Sequence, residues 1–88
     1  MEELKDYRAA IDRIDRELQR LFEERMEVSG KIGRYKAERN LPVFDAAREE
    51  EKIASMRASA SGDANADGIE KLMRTIFEIS RDLQEHLM

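Results

Sequence analysis

Apolar residues recur three and four positions apart from Leu4 through Tyr7, Ile11, Ile14, Leu18 and Leu21, and the rhythm resumes at Val28, Ile32 and Tyr35. No proline interrupts the run and charged residues fill the intervening positions, so the pattern predicts one amphipathic helix over roughly Glu3 to Glu38. At 1.5 Å rise per residue such a helix is a rod of about 54 Å. A compact globule of this chain length has a radius of gyration of about 12 Å and spans only about 30 Å. The rod outreaches any core its own chain can build, so its apolar seam needs a partner. A second copy of the chain is the most economical one.

The chain after this rod reads as two further helices. Asn40 and Pro42 in "ERNLPVFD" end the first helix, and Leu41, Val43 and Phe44 form a short apolar loop expected to pack down. Asp45 has the chemistry of an N-cap for a second helix reaching about Ser59, with a thin stripe of Ile53, Met56 and alanines. The small and polar stretch Ser59 to Gly68 reads as a loop. A third helix is expected from about Asp67 to the C-terminus, striped by Ile69, Met73, Ile76, Leu83 and Leu87, with Leu72, Phe77 and Ile79 alongside. The expected fold class is all-α: three helices per chain, one very long, in a helical homodimer.

Composition narrows the function. Eighty-eight residues, 41% hydrophobic and 41% charged, are expected to form one domain over 1–88. A core of that size is marginal alone, which again favours oligomerisation. The net charge of −4 argues against nonspecific nucleic-acid binding, which requires a basic face. Cysteine is absent, so disulfide scaffolds and thiolate metal sites are excluded and a reducing, cytoplasmic setting is expected. The single histidine, His86, cannot build a metal site by itself and reads as a solvated terminal residue. No long uncharged apolar run indicates a membrane segment.

Polar residues interrupt every apolar stripe. Arg25 occupies the seam position between Leu21 and Val28, and positions 25, 29, 32 and 36 follow helical spacing. Arg25 and Lys36 therefore lie within about 20° of one another around the axis and about 16 Å apart along it. Glu49 heads the line Glu49, Ile53, Met56, Ala60, while Ser80 and Gln84 continue the line from Met73 and Phe77. Each has an ordinary alternative. Arg25 could fix register and snorkel, Lys36 could complement a helix dipole, Glu49 could be a first-turn acid, and Ser80 and Gln84 could be tolerated polar neighbours. Together they point to a polar pocket, because unpaired buried charge is expensive. Gly30 and Gly33 cost about 1 kcal/mol each inside a helix and fit either a close backbone approach or helix packing. This residue set contains no nucleophile–base pair and no metal-ligand cluster. It suits a small-anion binder, or a catalyst that works by positioning and electrostatics.

Arg8, Arg25, Lys36, then "PVFDAAREE" with Asp45, Arg48 and Glu49, then Ser80 and Gln84, resemble in order and separation the all-helical class of chorismate mutases. The resemblance implies an intertwined homodimer that converts chorismate to prephenate by a [3,3] Claisen rearrangement in aromatic amino-acid biosynthesis. It implies no cofactor, no metal and no covalent intermediate. Arg25 would bind one substrate carboxylate, and Arg8 would reach the other in the partner chain's site. Lys36 would contact a carboxylate and the ether oxygen, with Gln84 the second donor to that oxygen. Glu49 would hold the ring hydroxyl, and Asp45, Arg48 and Ser80 would complete the pocket. Helix geometry agrees with the cross-chain role: Arg8 lies about 25 Å from Arg25 along a straight helix and about 100° around it. Two rivals remain, an isochorismate-pyruvate lyase of the same fold and a non-catalytic helical dimerisation or regulatory module.

Overall fold

The computed structural model describes residues 1–86 as three helices: α1 (Glu2–Glu38), α2 (Ala46–Ser59) and α3 (Asp63–His86). Leu87, expected on the α3 stripe, lies outside the described residues. Glu2 and Glu3 place negative charge at the positive end of the α1 dipole. At the other end Asn40 takes a left-handed conformation (φ 54°), which an asparagine tolerates better than most residues. The Leu41 N–H then donates to the Lys36 carbonyl at 2.9 Å and closes the helix. Asp45 caps α2 as expected, accepting from the Arg48 N–H at 3.0 Å.

The third helix begins earlier than the sequence pattern predicts. Only residues 60–62 are non-helical, with Gly62 at φ 90° making the turn, and α3 starts at Asp63. Ala64 and Ala66 are strong helix formers, and the Asn65 side chain donates to the Ser61 carbonyl at 2.9 Å. Gly68 is simply carried within the helix. A small, polar composition reads as loop, but here the alanines propagate helix through it.

Ile53 of α2 and Met73 and Phe77 of α3 form the core, with Met56, Ile69 and Ile76 packed against them. α3 packs on both other helices, whereas α1 and α2 are held apart. α1 meets the rest of the chain through small buried residues, Ser29, Gly30 and Gly33. A Cβ added at Gly30 would meet nothing within 4 Å, so within this chain no close approach requires that glycine. The loop after α1 does not pack down as expected. Leu41 and Phe44 remain exposed and only Val43 is half-buried, because the loop is tied by its backbone and not by its apolar side chains.

The molecule measures 57 × 25 × 15 Å with a radius of gyration of 16.4 Å. A compact chain of this length would have about 12 Å. The excess is α1, whose seam residues Leu4, Tyr7, Ile11, Ile14, Leu18 and Leu21 are all 42–66% exposed. Burying a large aliphatic or aromatic side chain contributes about 1.5–3 kcal/mol, and this row leaves that contribution unused within the chain.

Candidate active site

The separation of α1 from α2 leaves a cleft of about 380 Å³ floored by α3. Arg25, Lys36, Asp45, Arg48, Glu49, Ser80 and Gln84 all line it, so seven of the eight residues singled out in the sequence converge in one place. Arg8 is not among the lining residues and lies exposed on the projecting half of α1. Val28, Ser29, Ile32, Val43, Lys52, Phe77 and Arg81 complete the walls. The lining holds five cations against two carboxylates, in a chain whose net charge is −4. Local positive charge inside an acidic protein is what a small anion requires.

Arg25 is positioned without an acid. Its Nη1 donates to the Ser80 hydroxyl at 2.8 Å and its guanidinium lies 5.6 Å from the centre of the Phe77 ring. Partial burial, not a neighbouring charge, pulls its pKa below the usual arginine value. Among the described residues no carboxylate pairs with it. A desolvated guanidinium held by a neutral hydroxyl and an aromatic face keeps most of its donors for another acceptor.

Lys36 is held in a similar way. Its Nζ donates to the Val43 carbonyl at 3.0 Å, which leaves two of the three ammonium hydrogens for a ligand. Gln84 is buried and its Nε2 donates to the Ser29 hydroxyl at 2.9 Å. That contact fixes the amide while leaving its second N–H. No buried side-chain nitrogen or oxygen among the described residues lacks a hydrogen-bond partner, so the polar cleft is internally consistent. Asp45 is occupied by its capping bond to Arg48. Glu49 is gripped by Arg81, whose Nη1 reaches both carboxylate oxygens.

Sequence pattern alone misses two participants. Ser29 lies on the Arg25–Lys36 line, and its hydroxyl, one turn from Arg25, is the available signal. Arg81 follows Ser80 on a helix rich in surface charge, and nothing in its spacing separates it from an ordinary exposed arginine. His86 is exposed, its Nδ1 2.7 Å from the Asp82 carbonyl one turn back, and takes no part in the cleft.

The chain is all-helical, with a cleft whose lining is net positive and, among the described residues, no cluster of metal-ligating side chains. The family described as "Chorismate mutase type II" matches residues 7–85. The solved structure of a chorismate mutase (form II) from Thermus thermophilus superposes with a TM-score of 0.89 and 38% identity, covering 94% of each chain. The T-protein of Haemophilus influenzae is 39% identical over 81 residues, 91% of this chain but 22% of that protein. The bifunctional chorismate mutase/prephenate dehydratase of Aquifex aeolicus is 49% identical over 51 residues, 58% of this chain and 14% of that protein. The chain belongs to the chorismate mutase type II family. It spans about a fifth or less of the curated relatives' length.

Proposed function

We propose that this chain, acting as a single domain over residues 1–88, converts chorismate to prephenate in aromatic amino-acid biosynthesis, in the cytoplasm. The observation that carries the reading is Arg25: a half-buried cation with no acidic partner among the described residues, facing the same cleft as Lys36 and Gln84. A structural ion pair would have supplied the acid. An anion site leaves it out.

The roles follow from the chemistry of each group. Chorismate is a flexible dianion, and its enolpyruvyl arm must fold over the ring before the new C–C bond can form. Arg25 takes one carboxylate through its fork, and clamping both carboxylates removes much of the entropic barrier. Breaking the ether C–O bond places negative charge on oxygen. Lys36 and the second N–H of Gln84 meet that charge, and their bonds strengthen in the transition state relative to the ground state. Glu49 accepts from the ring hydroxyl. Arg48 adds positive charge, and Asp45 and Ser80 hold Arg48's helix turn and Arg25 respectively. The rearrangement transfers no proton, so the carboxylates and ammonium groups of the cleft act through hydrogen bonding and charge. No metal or cofactor is required.

The second carboxylate clamp is Arg8 of another copy. The exposed seam of α1 gives two chains a long apolar face to share, and pairing along it would carry Arg8 of one chain beside the cleft of the other. No helix among the described residues is long and apolar enough to cross a membrane, and neither a membrane nor nucleic acid is invoked as a partner.

The test is product identification. The purified chain is incubated separately with chorismate and with isochorismate. Prephenate from chorismate supports the reading, salicylate from isochorismate favours the lyase, and no product with either favours a non-catalytic dimerisation module.

A further inference from the structure

Glu49 and Arg81 form the least exposed ion pair of the described residues, with side chains 19% and 29% exposed. The pair ties α3 to the first turn of α2 across the cleft wall. The guanidinium of Arg81 also lies 4.8 Å from the centre of the exposed Phe44 ring, so the inter-helix loop covers one of its faces. Hydrogen bonding to Glu49 is the leading cause that raises the Arg81 pKa above its usual value. Arg81 approaches end-on, one nitrogen to both carboxylate oxygens, which leaves the outer lone pairs of Glu49 available to a second donor.

Glu49 lines the same cleft as Arg25, Lys36 and Arg48. A mobile carboxylate there would swing onto one of those cations and compete with the substrate's own carboxylates. We propose that Arg81 is a positioning residue for this site. It holds Glu49 against α3, where the carboxylate accepts the substrate hydroxyl while Arg25, Lys36 and Arg48 stay available to the dianion. This inference rests on the chorismate-binding reading above and adds a residue that touches no reacting atom. Phe44 is the second part of the device, since its ring limits where the guanidinium can go.

A double-mutant cycle tests it, with kcat and KM measured for wild type, Arg81→Met, Glu49→Gln and the double variant. Arg81 acting through Glu49 predicts that Arg81→Met lowers kcat/KM about tenfold, chiefly through KM, and that the same change costs less than about twofold in the Glu49→Gln background. Arg81→Lys keeps a cation beside Glu49 and should return to within about threefold of wild type. Thermal midpoints of all variants separate misfolding from lost positioning. An equal loss in both backgrounds, or no loss from Arg81→Met in the wild-type background, overturns the inference. Turnover by the wild-type chain is measured first. Its absence removes the functional reading and this inference together, whereas turnover with an additive cycle removes only the inference.

Discussion

Replacing Arg25 by methionine separates function from stability, because the structure assigns this side chain opposing terms in the folded state. Its bond to Ser80 is a hydrogen bond from a charged donor, worth about 1.5 kcal/mol, and the Phe77 face adds about 0.5–1 kcal/mol. Against these stands the desolvation that lowers its pKa, a cost of opposite sign for a guanidinium partly withdrawn from water without a counter-ion. Methionine keeps the apolar stem and removes both sets of terms. The net change in stability should lie within about 1 kcal/mol, a shift of no more than about 8 °C in Tm for a domain of this size. The catalytic effect has no such cancellation. Losing a fork to a carboxylate forfeits two charge-assisted hydrogen bonds, together at least about 3 kcal/mol, or more than about a hundredfold in kcat/KM. Prephenate formation and thermal melting at one protein concentration measure the two sides. A folded variant within about threefold of wild-type kcat/KM would refute the clamp. A fall of more than about 15 °C in Tm would instead make Arg25 a structural member of the core.

Lys36→Ala should lower kcat/KM at least about a hundredfold with the helical content unchanged, as circular dichroism and initial rates would show. Gln84 carries no titrating group, so activity should not fall between pH 5 and 7 on its account. Gln84→Glu places a carboxyl against Ser29, and the variant should work best where that carboxyl is protonated, losing rate as the pH rises. Co-refolding equal amounts of Arg8→Met and Arg25→Met chains should recover about a quarter of wild-type activity, since one site in each mixed dimer keeps both arginines. If both arginines served one chain's site, nothing would return. Away from the cleft, Arg74 holds the exposed Glu50 carboxyl below its ordinary range, first by hydrogen bonding and then by charge. Stability from that pair is present above the ordinary carboxylate range and is lost as the pH falls through the lowered value, so the acid-side drop in Tm should shrink in Arg74→Met.

The long helix and its apolar seam are legible because a 3.6-residue rhythm sustained over nine positions has few other readings. Asp45 is legible as a cap because a short acceptor just before a helical run has a specific job. The cleft is legible only in aggregate. Arg25, Lys36, Glu49, Ser80 and Gln84 each have an ordinary explanation, and their convergence is the information. Residues 63–66 read as loop from composition, yet the helix-forming strength of alanine outweighs their small, polar character. The exposure of Leu41 and Phe44 is hidden for a different reason. Apolar character does not fix packing when backbone bonds and a neighbouring arginine already anchor a loop. Arg81 cannot be found from spacing, since its partner is 32 residues away on another helix.

Turnover of chorismate by the purified chain, with no added metal or cofactor, tests the central claim most directly. Prephenate should accumulate in proportion to enzyme, and a folded Lys36→Ala chain should lose nearly all of that rate. A folded, dimeric wild-type chain that leaves chorismate unchanged would contradict it.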